Sequence, residues 1–222
     1  MGSINVKICG LTNLADAEVA IAAGADLLGF ILYAKSPRYV TPAAVAEIVT
    51  TLRAQAGTQG TRLPRLVGVF VNAPQDEIMA TVTQVGLDFV QLHGNETPAL
   101  VTAFAGRAYK ALRPAEATLA RAQAAEFAPL GPATGPAWML DAYDPAAYGG
   151  TGKQADWQVA ATLAQQHPGL LLAGGLTPEN VAAAIRTVHP WGVDVGSGVE
   201  AAPGRKDHTK VQQFVAMAKA GL

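Results

Sequence analysis

Short apolar runs alternate with Ala-rich amphipathic segments along nearly the whole chain. The apolar runs are flanked by turn residues, as buried strands are, and the segments between them carry the three- to four-residue apolar spacing of helices. This alternation is typical of βαβ units and a parallel sheet. We predict eight strands, over residues 4–9, 27–32, 66–71, 88–92, 109–112, 137–141, 169–173 and 193–196, and eight helices, over about 14–23, 42–54, 75–85, 97–105, 115–127, 156–165, 178–187 and 207–219.

One local pattern repeats where a helix gives way to a strand. Gly-x-Asp stands at residues 24–26, 86–88 and 192–194, and glycine can end a helix in the left-handed conformation. Eight repeats of one βα unit fit a (β/α)8 TIM barrel, which normally takes about 250 residues as one domain. We therefore predict an α/β fold with a single barrel domain over residues 1–222. A doubly wound open sheet of eight strands shares this periodicity and stays an alternative.

Three Gly-rich stretches are predicted to be loops. Residues 57–61 and 131–136 fall where a helix gives way to a strand, on the barrel face that usually carries stability rather than chemistry. Residues 149–153 resemble part of a phosphate-binding P-loop, but they lack its full spacing and do not directly follow a strand. We interpret 149–153 as a flexible loop over the site.

Composition limits the partners of this protein. Half of the residues are hydrophobic, 15 % are charged and the net charge is −1, so a large core is available and no basic surface invites nucleic acid. No apolar run reaches the roughly 18 residues of a membrane helix, and the first residues lack the pattern of a secretory signal. The single cysteine excludes an internal disulfide framework. We expect the protein to be cytoplasmic, to bind a small molecule and to be a monomer rather than a dimer.

Two glycine turns follow the last two predicted strands, at residues 174–175 and 196–198. Thr177 and Pro178 after the first turn are signals of a helix N-cap and first helical position, and helix starts attract anions. Loops after the seventh and eighth strands of a barrel often bind phosphate, so the pair predicts a phosphosugar ligand. Glycines that only let helices approach strands closely are the alternative. The predicted phosphate-binding residues are Gly174, Gly175, Gly196, Ser197 and Gly198.

Two candidate catalytic side chains stand at predicted strand ends. Cys9 ends the first strand, and Lys7 lies on the same face two residues earlier, where its ammonium would favour the thiolate. An isolated cysteine is otherwise most often a small buried hydrophobe. Asp141 closes the sixth apolar run, where the pKa of a carboxyl can rise enough for it to act as an acid. A helix or turn cap is the alternative for Asp141.

Further polar side chains stand at other strand ends. Arg38 follows the second strand and has the forked geometry that clamps a carboxylate. Gln91 and His93 end the fourth strand. His93 is a general base, a metal ligand or a hydrogen-bonding loop residue, and the other histidines show no ligand spacing with it. In a closed barrel the eighth strand lies beside the first, so Lys7 and Asp194 should meet there as a buried ion pair.

An ordered set of motifs resembles those of the phosphoribosylanthranilate isomerase family. The set runs through nearly the whole chain, and a cysteine at the first strand end makes it specific. The motifs lie at residues 7–12, 29–30 with 36–39, 67–72, 91–94, 140–141, 148–153 with 156–157, 173–176 and 194–200.

The resemblance implies a metal-free and cofactor-free enzyme of tryptophan biosynthesis. It would convert N-(5′-phosphoribosyl)anthranilate to 1-(2-carboxyphenylamino)-1-deoxyribulose 5-phosphate by an Amadori rearrangement. Asp141 would be the general acid and Cys9 the general base, while Arg38, Gln91, His93 and Asp194 would bind substrate. These roles need Asp141 protonated and Cys9 ionised, the reverse of their reference pKa values of about 4 and about 8.5, and functional sites are built to create such inversions.

Three other functions stay open. A sister isomerase of histidine biosynthesis performs the same rearrangement, but resemblance to that family would place an aspartate at the position of Cys9. An aldolase-like or epimerase barrel would need a Schiff-base lysine or a metal cluster, and Lys110 in the fifth strand is the other well-placed lysine. A non-catalytic phosphosugar sensor would keep the glycine turns without needing Cys9 and Asp141.

Overall fold

Eight parallel strands form a closed barrel in chain order, in a computed structural model that describes residues 4–142 and 156–221. The strands are β1 (Asn5–Cys9), β2 (Leu27–Ile31), β3 (Arg65–Phe70), β4 (Phe89–Leu92), β5 (Ala108–Leu112), β6 (Trp138–Leu140), β7 (Leu170–Leu172) and β8 (Gly192–Val195). The α-helices around them are α1 (Leu14–Ala23), α2 (Pro42–Gln59), α3 (Gln75–Val85), α4 (Pro98–Thr102), α5 (Ala117–Phe127), α6 (Trp157–Gln166), α7 (Val181–Val188) and α8 (His208–Ala220).

The barrel closes between its first and last strands. β1 pairs in parallel with β2 on one side and with β8 on the other, and Lys7 lies directly opposite Asp194 in the β1–β8 register. An open sheet would leave β1 and β8 as separate edges. The structure therefore confirms the predicted TIM barrel and excludes the doubly wound alternative.

The repeated Gly-x-Asp pattern forms the expected turn from helix to strand at two of its three sites. Gly24 and Gly86 end α1 and α3 with φ values of 93° and 73°, which are accessible to glycine. Asp26 and Asp88 then accept hydrogen bonds of 2.8 Å from backbone N–H groups of the preceding strands. The third site differs, because Gly192 lies inside β8 and the preceding helix ends on another residue.

Several predicted boundaries were wrong. The stretch 57–61 is largely helical, since α2 continues to Gln59 and ends only where Gly60 turns left-handed at φ 64°. A helix interior tolerates one glycine at about 1 kcal/mol. α7 begins at Val181, three residues later than predicted. A hairpin of β9 (Glu200–Ala202) and β10 (Arg205–Lys206) was not foreseen. The loop at 131–136 is confirmed, since no helix or strand covers it.

Two hydrophobic clusters hold the fold together. The larger one fills the layer between strands and helices. The smaller one lies inside the barrel. Its buried members are Leu27, Val67, Phe89, Tyr109, Ala111, Met139, Leu171 and Ala173. Among the described residues, no helix is long and apolar enough to cross a membrane.

Candidate active site

Cys9 lies at the carboxyl end of β1 and is 7 % exposed. Its partner across the sheet is Gly29, and a Cβ atom there would lie 2.9 Å from Cys9 Sγ and 3.0 Å from Lys7 Cε. A glycine at this position therefore leaves room for both side chains. Burial raises the pKa of the Cys9 thiol, although the charge of Lys7 acts to lower it. The influence predicted for Lys7 is thus present, but it does not outweigh burial.

Lys7 is fully buried and joined to two neighbours. Its Nζ donates to Asp194 Oδ1 at 2.7 Å and to Gln91 Oε1 at 2.9 Å. Burial disfavours the ammonium, but the nearby groups Asp194, Cys9 and Tyr109 together outweigh that penalty and raise the pKa of Lys7 above its usual value. The predicted buried ion pair between Lys7 and Asp194 is confirmed.

Asp141 is the first residue after β6 and is 9 % exposed. Its Oδ1 accepts a 2.8 Å hydrogen bond from the N–H of Ala142, and its Oδ2 lies 3.3 Å from His93 Nε2. Gly174 packs against this corner, since a Cβ atom there would lie 3.2 Å from Asp141 Oδ1 and 2.7 Å from Ala142 N. The carboxyl is therefore held by the N–H of the next residue and lies against the first glycine turn.

Gln91 joins the Lys7 side of the site to the Asp141 side. Its Oε1 accepts from Lys7 and from the hydroxyl of Tyr109 at 2.7 Å, and its Nε2 lies 2.7 Å from His93 Nδ1. Gln91 is 1 % exposed, so both ends of its amide are engaged by protein groups. Tyr109 was not predicted as a site residue, because an aromatic residue in an apolar run is usually core.

The two glycine turns lie next to each other at the carboxyl end of the barrel. Gly174 and Gly175 have φ values of 89° and 64°, and neither N–H donates a hydrogen bond to another described residue. A Cβ atom at Gly198 would overlap the carbonyl oxygen of Leu176, so the turns are in direct contact. A Cβ atom at Gly196 would lie 3.8 Å from the carbonyl oxygen of Cys9. Each turn therefore adjoins one candidate catalytic residue.

The segment after Gly175 differs from the predicted helix start. Thr177 is not an N-cap that bonds through its side chain. Instead, Asn180 Oδ1 accepts from Thr177 N–H at 2.8 Å, and Asn180 Nδ2 donates to the carbonyl of Gly175 at 2.9 Å. Asn180 therefore fixes the end of the first turn, because it bonds to the carbonyl of Gly175 and to the N–H group two residues later.

Arg38 is paired within the protein. Its Nε and Nη2 donate to the two carboxylate oxygens of Glu200 at 2.8 and 2.7 Å. Lys206 Nζ lies 3.1 Å from Glu200 Oε1 and donates to the carbonyl of Gly196 at 2.9 Å. Burial disfavours the charge of Glu200, but Arg38 and Lys206 hold its pKa below the usual range. Glu200 was noted only as the last residue of the motif at 194–200, and Lys206 was not a candidate, because their hairpin was not predicted.

The sequence also raised Lys110, the loop at 149–153 and a metal site as candidates. Lys110 lies between Tyr109 and Ala111, which belong to the inner cluster, so its side chain is on the outer face of β5. Its ammonium donates to the carbonyls of Leu92, Gly94 and Ala111. It therefore does not serve the interior as a Schiff-base lysine. The loop at 149–153 lies outside the described residues, and within them no three His, Cys, Asp or Glu side chains could hold a metal ion.

Sequence comparison places the chain among known enzymes. A family model described as N-(5′-phosphoribosyl)anthranilate (PRA) isomerase matches residues 6–217. The N-(5′-phosphoribosyl)anthranilate isomerase of Pelobacter propionicus is 46 % identical over 97 % of this chain and 96 % of its own length. That of Geobacter sulfurreducens is 45 % identical over 97 % of this chain and 98 % of its own.

Solved structures agree with the sequence comparison. Phosphoribosyl anthranilate isomerase from Thermotoga maritima superposes with a TM-score of 0.85 at 38 % identity, covering 98 % of this chain and 99 % of that one. A phosphoribosyl anthranilate isomerase in complex with reduced 1-(o-carboxyphenylamino)-1-deoxyribulose 5-phosphate superposes with a TM-score of 0.80 at 34 % identity, with the same coverage. The chain therefore belongs to the N-(5′-phosphoribosyl)anthranilate isomerase family.

Proposed function

We propose that this protein converts N-(5′-phosphoribosyl)anthranilate to 1-(2-carboxyphenylamino)-1-deoxyribulose 5-phosphate in tryptophan biosynthesis, by an Amadori rearrangement. Asp141 is the general acid and Cys9 the general base. One observation carries this assignment: both side chains stand at carboxyl ends of barrel strands, and each adjoins one of two glycine turns that touch each other. A phosphosugar bound at the turns would therefore extend between the acid and the base.

The reaction needs two proton transfers and no external electron sink. Asp141 gives its proton to the furanose ring oxygen as the C1′–O bond breaks, which leaves a protonated Schiff base on the anthranilate nitrogen. The Cys9 thiolate then removes the proton from C2′, and the electron pair moves onto that nitrogen to give an enolamine. Tautomerisation of the enolamine, with a proton returned to C1′, gives the 2′-ketone.

The phosphate and the carboxylate of the substrate each have a candidate site. The N–H groups of Gly174 and Gly175, which make no bond to other described residues, are donors for phosphate, and Gly196, Ser197 and Gly198 complete that site. Arg38 uses Nε and Nη2 on Glu200, so the second edge of its guanidinium remains for the anthranilate carboxylate.

The ribose part of the substrate lies between these anchors. His93 Nε2 is buried without a hydrogen-bond partner among the described residues. Asp194 bonds to Lys7 through Oδ1, so its Oδ2 is the atom that would accept from a substrate hydroxyl. We assign both side chains to the ribose hydroxyls. The ligand bound in the solved relative, a reduced 1-(o-carboxyphenylamino)-1-deoxyribulose 5-phosphate, carries the same carboxylate, amine and phosphate groups.

A direct assay tests this function against its alternatives. Purified protein is mixed with phosphoribosylanthranilate, and the loss of anthranilate-type fluorescence is followed, with formation of the 2′-ketone checked by NMR. We expect rapid conversion by the wild-type protein and almost none by Cys9→Ser or Asp141→Asn. Tight binding without conversion would identify a phosphosugar sensor. Conversion of only the related histidine-pathway phosphosugar would identify the sister isomerase.

We also propose that the protein works as a monomer. The large apolar side chains exposed among the described residues are scattered over different elements, whereas a stable dimer buries a contiguous patch. Sedimentation equilibrium should therefore return the monomer mass of 22.9 kDa. These side chains are Tyr39, Met79, Leu119 and Met217.

A further inference from the structure

We propose that Gln91 is a positioning residue for the isomerisation: it fixes His93 as the imidazole tautomer that carries its proton on Nε2, the nitrogen that faces Asp141. This inference rests on the proposed roles of Asp141 and His93, but its central claim concerns the resting protein. It also gives Gln91 a different task from the substrate binding that the sequence suggested.

The orientation of the Gln91 amide follows from its partners. One terminal atom receives both the Lys7 ammonium at 2.9 Å and the Tyr109 hydroxyl at 2.7 Å. An ammonium can only donate, and Lys7 stays charged beside Asp194 because the nearby groups outweigh the effect of burial and raise its pKa. Burial raises the pKa of Tyr109, so its hydroxyl keeps its proton. The atom between two donors must be the carbonyl oxygen, and the opposite orientation would set an NH2 group against the ammonium.

The orientation of the amide determines the tautomer of His93. With its oxygen on Lys7 and Tyr109, the Gln91 NH2 group lies 2.7 Å from His93 Nδ1. Because an NH2 group donates, Nδ1 must accept and carries no proton. The proton of the neutral ring is then on Nε2, 3.3 Å from Asp141 Oδ2. The remaining Nε2–H is buried and has no aligned acceptor among the described residues.

This arrangement supplies a donor at the place where the acid works. An Nε2–H beside Asp141 can bond to a substrate hydroxyl or to the carboxylate left after Asp141 has given up its proton. The other tautomer would present a lone pair there and would compete for the Asp141 proton. The tautomer is therefore set by Lys7 on the far side of Gln91, which couples the two halves of the site through one amide.

Nitrogen NMR on the resting protein tests the tautomer without any substrate. Protein labelled with ¹⁵N in its histidine rings is measured at mildly alkaline pH, and His93→Gln identifies the His93 signals among those of the four histidines. We expect an unprotonated Nδ1 and a protonated Nε2. A proton on Nδ1 of His93 in the wild-type protein would overturn the proposal.

Two substitutions extend the test. Gln91→Glu has nearly the same shape, but its carboxylate cannot donate, so we expect a proton on His93 Nδ1 and a kcat about 10²-fold lower. Tyr109→Phe is the matched control: it removes one donor to the Gln91 oxygen and leaves the bond to His93, so the Nε2–H tautomer should persist. Where Gln91→Glu does not fold, Gln91→Met replaces it, and we expect a mixture of the two tautomers.

The outcomes separate this proposal from the proposed function. An unchanged His93 tautomer in the folded Gln91 variant would refute the role of Gln91, whatever the activity. A shifted tautomer together with an unchanged kcat would also refute it, because the positioning would then have no effect on the reaction. Failure of the proposed acid and base would show instead in Asp141→Asn and Cys9→Ser, whose His93 tautomer we expect to match the wild type.

Discussion

Lys7 and Asp194 face each other across the seam that closes the barrel, with Lys7 Nζ 2.7 Å from Asp194 Oδ1. The ammonium is fully buried, whereas the carboxylate side chain keeps 11 % of its surface exposed. This pair links the first and last strands beside Cys9, so it supports both the fold and the electrostatics of the site.

Replacing Lys7 should destabilise the protein strongly. Lys7→Met leaves Asp194 without its partner in a largely dry environment, so the free energy of unfolding should fall by about 3–5 kcal/mol. Urea unfolding followed by circular dichroism measures this loss. Arg65→Met is a control, because Arg65 is 48 % exposed beside Asp88 and its pair contributes at most about 1 kcal/mol. Equal losses in the two variants would contradict a special role for the closing pair.

Replacing Arg38 should weaken substrate binding. Arg38→Lys keeps the charge but loses the fork that holds Glu200 and presents the second edge, so KM should rise about 10–100-fold, as expected for a lost charged hydrogen bond. Steady-state kinetics with phosphoribosylanthranilate measure this change. Arg53→Lys makes the same replacement at an arginine that bonds to the end of α3, and its KM should not change. Unchanged kinetics in Arg38→Lys would make Arg38 a structural residue only.

Adding one methyl group to the first glycine turn should weaken phosphate binding. In Gly174→Ala the new Cβ atom would lie 2.7 Å from Ala142 N, on a backbone with φ of 89°, so the turn must change shape. Inorganic phosphate binding, measured by calorimetry, should weaken at least tenfold.

The control for this change is Gly57→Ala. Beyond its chain neighbours and the backbone of its own helix, no described atom lies within 4 Å of a Cβ atom there, and alanine favours the helix by about 1 kcal/mol over glycine. Phosphate should bind Gly57→Ala as it binds the wild type. Equal phosphate affinity in Gly174→Ala, or a sulfate ion bound only elsewhere in soaked crystals, would argue against the phosphate site.

Removing the acid should lower turnover with little effect on affinity. Asp141→Asn retains an oxygen for the N–H of Ala142, which Asp141 Oδ1 now accepts at 2.8 Å, so the variant should fold. It has no proton to transfer, so kcat should fall about 10²–10⁴-fold while KM changes little. Asp88 directly precedes β4 and therefore lies at the opposite end of the barrel from Asp141. The control variant Asp88→Asn should keep full activity. A kcat near that of the wild type in Asp141→Asn would remove Asp141 from the mechanism.

The pH dependence of kcat/KM should reflect the proposed positions of the protons on Asp141 and Cys9. Under the proposed roles, the reactive form carries a proton on Asp141 and none on Cys9, and the form with these protons exchanged contains the same total number. Their ratio therefore does not vary with pH, so kcat/KM should be level between the two ionisations of the pair. It should fall when the second proton leaves. Because burial raises the pKa of Cys9, this fall should occur above the ordinary thiol range.

Alkylation of Cys9 gives an independent measurement. Cys9 is the only cysteine of the chain, so incorporation of iodoacetamide reports on it alone. A raised pKa lowers the thiolate fraction at neutral pH, so alkylation should be slow there, accelerate as pH rises, and slow again when substrate or product is bound. Cys9→Ser should fold but be nearly inactive, because an alcohol ionises far too weakly. Full activity in Cys9→Ser would make Cys9 a packing residue.

The sequence determined the repeating architecture and the identity of the main candidates. Apolar runs and amphipathic segments located every barrel strand and its helix, because burial imposes a period on the chain itself. α1 and α3 agree with their predicted bounds. Cys9 and Asp141 could be found because the carboxyl ends of strands are fixed once the strands are known.

The tertiary structure decided which distant residues meet and which physical effect prevails. Lys7 and Asp194 are 187 positions apart, and their contact could be predicted only on the condition that the barrel closes. Arg38 and Glu200 are 162 positions apart, and they meet through a hairpin that short-range patterns do not reveal. The net effect on Cys9, where burial outweighs the charge of Lys7, depends on how much water the fold excludes. Periodicity reports which face of an element is buried, but only packing in three dimensions sets partners, distances and solvation.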